Sequence, residues 1–359
     1  MDSLKAAVIA AGSQGRVHAA GYRANPGTTL VAVADVSREA AEELAADLEI
    51  PQVFTDYEEL LRVSKPDIVS ICTPPASHLA IVRSAVAAGV RAIHCEKPIA
   101  LSYGDALDMV ALAEDADVQL TFNLQRRFEP VHLFARNRLR AGAIGEIVSV
   151  EGYCPNLPDW GTHIFDLVLF YLDDESPEWV LGQIDVSTNR YVYNAFAETS
   201  SVTLVKWASG VNATVFTGRE PQTPILNLAN NTGIIIQGTK GRIESRGARA
   251  DVFRFGEPTE TFDSPFERDS SRWERGVDPA IVAATADAIA DAVNALESGS
   301  EPALGARHGL AGAELIFATY ESSRIRGRVT LPLETRDNAL LAGLDAGYWS
   351  PVGEQRSTY

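Results

Sequence analysis

Through its first 123 residues the chain alternates short, nearly unbroken apolar runs with stretches of helical spacing, and this alternation leaves very few folds open to it. Ala6-Ala7-Val8-Ile9-Ala10 reads as a buried strand, and residues 12–24 read as a helix entered through a tight turn. Leu30-Val31-Ala32-Val33-Ala34 is a second apolar run, followed by a helix over residues 37–48. Thr55-Asp56-Tyr57-Glu58 has capping-box spacing and opens another helix. Residues 67–72, 91–95 and 118–122 read as strands, separated by helices over 77–88, stopped by Gly89, and over 102–114. Strands that apolar belong to a parallel sheet covered by helices on both faces. The open doubly wound arrangement is the expected solution.

Beyond Asn123 the pattern changes. Residues 128–140 are helical, 147–153 extended, and a helix follows around 162–172. From Trp179 to about Phe262 the patterns are mainly those of strands joined by short turns, which predicts a mostly antiparallel sheet. Helical spacing returns over 280–296 and 309–324, and residues 350–359 read as a loose tail. The expected architecture is α/β: an N-terminal doubly wound parallel sheet over 1–123, a C-terminal α+β domain with a large, mostly antiparallel open sheet over 124–345, and a tail over 346–359.

Composition narrows the function classes. A net charge of −17 argues against a protein that lives on phosphate-backbone contacts. No apolar run approaches the ~18 residues of a membrane span, and Met1-Asp2-Ser3-Leu4-Lys5 lacks the features of a signal peptide. Three cysteines, Cys72, Cys95 and Cys154, exclude a disulfide scaffold and suit a reducing cytoplasm. Lysine occurs only at 5, 65, 97, 206 and 240, a scarcity that fits salt adaptation or a GC-rich genome equally well.

The turn after the first strand, Ala10-Ala11-Gly12-Ser13-Gln14-Gly15, is a G-x-G-x-x-G fingerprint with alanine in the first glycine position. Gly12 lets backbone approach a pyrophosphate and Gly15 lets helix and strand pack closely. The helix N-terminus adds unpaired N–H groups. Asp35 ends the second strand at the distance of a ribose-binding acid, which favours NAD over NADP, although Arg38 nearby offsets the repulsion of a 2′-phosphate. An ordinary βα turn that tolerates glycine is the plain alternative.

Two later strand ends carry chemistry-bearing residues: Thr73-Pro74-Pro75 with His78, and Glu96-Lys97-Pro98. Ligands of such sheets bind beyond the carboxyl ends of the strands. The competing reading of Glu96-Lys97 is a surface salt bridge. Asp159, His163 and Asp166 interrupt an otherwise apolar helix at i, i+4 and i+7. Buried ionisable groups are costly unless paired or used, so this stripe is either a proton-transfer group in a chosen tautomer or a satisfied core histidine. A metal site fails because no further His or Cys stands at ligand spacing.

Taken with Arg126-Arg127-Phe128-Glu129-Pro130, Gly238-Thr239-Lys240-Gly241, Tyr320-Glu321-Ser322-Ser323 and Val329-Thr330-Leu331-Pro332-Leu333, these segments make a chain that resembles the Gfo/Idh/MocA oxidoreductases over nearly its whole length. The resemblance implies a Rossmann domain, NAD or NADP, a sugar or polyol substrate, and a homodimer or homotetramer formed through the C-terminal sheet. It also implies that Lys97, Asp159 and His163 are catalytic. His163 would be acid/base on the reacting hydroxyl, Lys97 would stabilise the developing alkoxide, and Asp159 would orient substrate or tune His163. Gly12, Ser13, Gln14, Gly15, Asp35, Arg38, Thr73, Pro74, His78, Glu96 and Lys97 would meet the cofactor. Arg127, Asn156 and Trp160 would join the three catalytic residues at the substrate, and Asp166 would be structural. Ala10 is a modest steric departure, and the short connection over 154–158 leaves a more open cleft than a longer insert would. Two alternatives stand beside a dehydrogenase: a glycosidase or lyase working by transient oxidation on bound NAD, and a non-catalytic nucleotide- or sugar-sensing protein.

Overall fold

Alternation in the first third of the chain builds a six-stranded parallel sheet. Its strands are β1 (Leu4–Ile9), β2 (Thr28–Ala34), β3 (Gln52–Phe54), β4 (Ile68–Ile71), β5 (Ala92–Cys95) and β6 (Gln119–Phe122), in the order β3-β2-β1-β4-β5-β6. They alternate with α1 (Ser13–Ala24), α2 (Arg38–Leu48), α3 (Tyr57–Ser64), α4 (His78–Ala87) and α5 (Tyr103–Asp115). That strand order is the doubly wound arrangement, with its switch point between β1 and β4. Ala6, Val8, Val33 and Ile68 are buried in its core. The computed structural model describes residues 3–218, 232–266 and 279–357. Met1 and Asp2, residues 219–231 of the β-rich stretch and the last two residues of the expected tail lie outside them.

The chain divides into two compact units, and the division is not one cut after 123. Besides 3–100 and 105–128, the first unit takes residues 279–310, which the sequence assigned to the second domain. These include α8 (Pro279–Ser298), which by length and hydropathy alone is long enough to cross a membrane, a reading the apolar-run argument had closed off. Here it packs against α1, where a Cβ on Gly21 would come within 2.7 Å of Ile289. Gln119 also donates from Nε2 to the Ala292 carbonyl at 2.8 Å.

The second unit is built on a nine-stranded sheet. It comprises β7 (Ile147–Cys154), β8 (Trp179–Asp185), β11 (Ser200–Lys206), β12 (Asn212–Thr217), β13 (Gly233–Gly238), β14 (Gly241–Arg246), β15 (Arg249–Arg254), β16 (Glu260–Asp263) and β17 (Val329–Thr330), in the order β16-β15-β14-β13-β7-β12-β11-β8-β17. Among the described residues only β7 and β12 pair in parallel. One face is covered by α6 (Pro130–Arg140), α7 (Thr162–Tyr171) and the later part of α9 (Ala306–Ile325), and α10 (Ala339–Asp345) follows. A Cβ on Gly152 would meet Ile164 at 2.5 Å, and one on Gly182 would meet Thr319 at 2.7 Å, so glycine lets α7 and α9 lie close on the sheet. A separate three-stranded sheet joins β9 (Thr188–Val192), β10 (Ala195–Ala197) and β18 (Val352–Ser357). The expected loose tail is thus a paired strand through Ser357.

Candidate active site

In the first unit the β1–α1 turn is tight because nothing larger than glycine fits. A Cβ on Gly15 would lie 1.9 Å from the Ala10 carbonyl oxygen. A Cβ on Gly12 would meet nothing within 4 Å, and Gly12 caps α1 without a side-chain partner for the helix amides. Open space before an uncapped helix N-terminus is what a pyrophosphate needs. Ser13 is exposed there and Gln14 half-buried. Ala10 is a larger departure than expected, since its φ of 86° is a conformation that glycine adopts freely and alanine does not.

Asp35 does more than await a ribose. Its Oδ2 accepts from the Ala11 amide at 2.7 Å and its Oδ1 from the Ser37 amide at 2.8 Å, which fastens the glycine turn to the end of β2. Each oxygen keeps a second lone pair. Arg38 is exposed, 3.6 Å from Glu42 one turn along α2.

Thr73 and Pro74 follow β4 at the carboxyl edge of the sheet, Thr73 half-buried and Pro74 exposed. His78 does not reach that edge. It is fully buried, with Nδ1 2.9 Å from the Ile99 carbonyl and Nε2 2.8 Å from the Thr73 carbonyl. It therefore ties the β4 loop to the chain after Pro98 rather than touching a cofactor, and burial lowers its pKa.

Glu96 is likewise buried and acts beneath the edge. Its Oε1 lies 2.9 Å from His18 Nε2 and accepts from Asn123 Nδ2 at 2.6 Å, and its Oε2 accepts from the Lys97 amide at 3.0 Å. His18 Nδ1 lies 2.8 Å from Ser70 Oγ, which is 2.9 Å from Tyr22 OH. Burial alone would raise the Glu96 carboxyl, but the hydrogen bond and charge of His18, the charge of Lys97 and the Asn123 hydrogen bond outweigh it and hold the group at about 2. Burial and the His18 charge bring the neighbouring His94 down to about 3. This network fixes the main chain at Lys97, whose side chain is half-buried. Arg127, expected at the substrate, is buried in the 3₁₀ turn Gln125–Phe128, which packs on α8.

In the second unit Asp159 and His163 do not share one α-helix. Asp159 lies in a π-helical turn, Leu157–Gly161, while His163 and Asp166 belong to α7. The cause is local. Pro158 sits at the start of the turn, and Asn156 Oδ1 accepts from the Asp159 amide at 2.8 Å, so the oxygen of Asn156 serves as the cap of this turn. Asp159 is 3 % and His163 4 % exposed, and Asp166 is fully buried, while Trp160 is half-buried. A carboxylate and an imidazole are thus set a turn apart at the head of a rigid buried helix, an arrangement suited to moving one proton.

Several supporting residues escaped the sequence reading. Glu198, fully buried, accepts from the Leu157 amide at 2.7 Å, from Tyr320 OH at 2.9 Å and from Thr217 Oγ1 at 3.1 Å. Burial raises its pKa against the pull of those bonds. Tyr193 OH donates to Asp159 Oδ1 at 3.2 Å. Only His18 left a visible signal, a histidine one turn after Gly15. Among the described residues no group of three His, Cys, Asp or Glu side chains gathers to hold a metal ion.

Comparison with known proteins bears on both units. Residues 4–124 match the Gfo/Idh/MocA oxidoreductase family's NAD-binding Rossmann fold, and residues 154–331 match that family's C-terminal alpha/beta domain. The chain is 28 % identical to the D-apiose dehydrogenase of Paraburkholderia graminis over 344 residues, 89 % of this chain and 88 % of that one. It is 28 % identical to the inositol 2-dehydrogenase of Rhizobium meliloti over 257 residues, 67 % of this chain and 75 % of that one. Its fold matches the crystal structure of an oxidoreductase from Agrobacterium radiobacter in complex with NAD+, L-tartaric acid and magnesium, with a TM-score of 0.77 and 23 % identity over 91 % of this chain and 98 % of that one.

Proposed function

The chain belongs to the Gfo/Idh/MocA family of oxidoreductases, with its NAD-binding Rossmann fold and C-terminal α/β domain, and on that premise we propose that it oxidises a secondary hydroxyl of a sugar, cyclitol or sugar derivative. Two relatives bear on the substrate class, one named for a sugar and one for a cyclitol. The observation that carries the chemistry is His163, buried at the head of α7 one turn beyond Asp159.

Bound NAD supplies the hydride acceptor. The uncapped N-terminus of α1 and the open face of Gly12 would hold its pyrophosphate. His163 takes the hydroxyl proton on a ring nitrogen. Lys97 of the first unit is the cation we assign to stabilising negative charge developing on the substrate. Asp159 orients the substrate or the imidazole. Mixing the protein with NAD and a panel of sugars and cyclitols, and following reduced nicotinamide by absorbance, tests the reading. Net NADH formation supports it. Turnover of a glycoside with no net NADH assigns the chain to transient oxidation and elimination instead.

NAD is the preferred cofactor on the strength of Asp35. Asp35→Asn removes the charge and keeps an oxygen for only one of the two loop amides, and is expected to narrow the NAD-over-NADP preference by about 1–3 kcal/mol. Titration of both nucleotides measures it. Tighter NADP binding by the unaltered protein would hand the decision to Arg38.

The assembly we assign is a homodimer or homotetramer. On the open face of the large sheet, Leu181 is opposite Leu204, and Val202 opposite Phe216, which is itself opposite Tyr153. The last two rings stack at 5.4 Å, and Leu181 and Val202 are each 45 % exposed. Pairing this face between copies buries it symmetrically. Light scattering at micromolar concentration should report a dimer or larger, and a monomer would remove the assignment. A reducing cytoplasm is the compartment that suits three free cysteines.

A further inference from the structure

The small sheet of β9, β10 and β18 bears on the turn that carries Asp159. Its hairpin is specified locally. Ala195 is opposite Val192 and Phe196 opposite Tyr191, which leaves Tyr193 and Asn194 as a two-residue loop. Their φ values of 48° and 61° are those of the turn whose twist matches a β-ribbon. The Tyr191 and Phe196 rings meet edge to face at 5.5 Å.

Three side chains reach from this hairpin to residues 155–159. Arg190 Nη1 donates to the Pro155 carbonyl at 3.1 Å, and Glu198, just beyond β10, accepts from the Leu157 amide. Both of these hold main chain. Tyr193 alone reaches a functional side chain, through its hydroxyl to Asp159 Oδ1. The turn does not need that third contact to form, because Asn156 and Glu198 already satisfy its amides. What the phenol does is fix Oδ1 and with it the plane of the carboxylate.

β9 is the middle strand, and its second neighbour is the end of the chain. β18 pairs with it in parallel, Val352 opposite Thr188 and Ser357 opposite Tyr191, and the Val352 amide donates to the Ser187 carbonyl at 3.1 Å. A two-stranded ribbon alone is marginal in water, and a third strand makes it hold.

We propose that Tyr193 is a positioning residue for Asp159, and that the C-terminal strand β18, by pairing with β9, keeps Tyr193 on that carboxylate. The inference rests on the assignment of Asp159 to the reacting hydroxyl.

Three proteins test it: Tyr193→Phe, the chain ended after Pro351, and the two changes combined. Tyr193→Phe should lower kcat about tenfold on a substrate the unaltered protein oxidises, the scale of one hydrogen bond to a charged group. NAD affinity should not move. Truncation should lower kcat at least as much, and the combined protein should be no worse than the truncated chain, because the tyrosine's contact is already lost there. Hydrogen exchange over residues 155–163 should speed up in the truncated chain and stay unchanged in Tyr193→Phe. Should truncation compromise folding, Val352→Pro deletes the amide that donates to Ser187 and takes its place. Unaltered kcat in Tyr193→Phe overturns the role of the tyrosine, and factors that multiply overturn its link to the strand. If the unaltered protein oxidises no sugar or cyclitol, the functional reading fails by itself. The exchange measurement then still decides whether β18 holds the Asp159 turn, with unchanged protection overturning the proposal.

Discussion

His163→Ala should turn over about 10²–10⁴-fold more slowly than the unaltered enzyme while binding NAD as well as before. Hydride leaves carbon readily only as the hydroxyl loses its proton, and the imidazole at the head of α7 is the group we propose accepts it. Because the ring is 4 % exposed on a helix packed against α6 and the large sheet, its removal also leaves a cavity, so folding and binding are measured beside turnover. Lys97→Ala should fall by a comparable factor, because developing alkoxide then has no cation to meet. Both losses should appear in the chemical step, with a substrate deuterium isotope effect retained or enlarged. Stopped-flow single turnovers beside NAD titrations separate chemistry from binding, and a thermal melt checks that the cavity left by the ring has not unfolded α7. Near-normal turnover of His163→Ala on the true substrate would make His163 a core histidine and end this mechanism.

What the sequence made legible and what it hid follow the range of the interactions involved. Strands such as Ala6 to Ile9 and Ile68 to Ile71 are apolar on both faces because helices cover both, and that is written locally. The tight glycine turn and the placement of Asp159 one turn before His163 are also written in single segments. The failures are long-range. α8 lies more than 150 residues beyond β6, and nothing in its apolar spacing names α1 as its partner. The spacing of Asp159, His163 and Asp166 fits an unbroken helix, but Pro158 and the Asn156 cap widen the first turn. Glu198 and Tyr193 reach back some 35–40 residues to that turn, and a lone Glu after a strand carries no signal of it. His78 and Glu96 stood where a cofactor contact was expected, and only their partners show that they brace the loops from behind.

His18→Ala should destabilise the first unit by about 1–3 kcal/mol, the scale of leaving a buried charged group short of a hydrogen-bond partner. Glu96 is enclosed between α1, β5 and β6, and without His18 its carboxylate retains only Asn123 and the Lys97 amide as hydrogen-bond partners. Urea titration of the nucleotide-free protein measures the cost. A double variant that also replaces Glu96 with glutamine should recover much of it, since a neutral amide tolerates the site better than an orphaned charge. The same pair sets an acid limit. The Glu96 carboxyl, held at about 2 in the fold against an ordinary 4.5, binds a proton less readily folded than unfolded. Its contribution is therefore complete above about pH 4.5 and is lost as pH falls toward 2, to a total of about 3 kcal/mol. The stability difference between the unaltered protein and Glu96→Gln should shrink across that window and stay flat from pH 5 to 7. A difference that does not change with acid would mean that the fold leaves the Glu96 carboxyl at its ordinary value. Because the Glu96 Oε2 also holds the Lys97 amide, the variant that loses acid sensitivity should lose turnover as well. The buried pair would thereby couple the stability of the first unit to the placement of the lysine we propose meets the substrate oxygen.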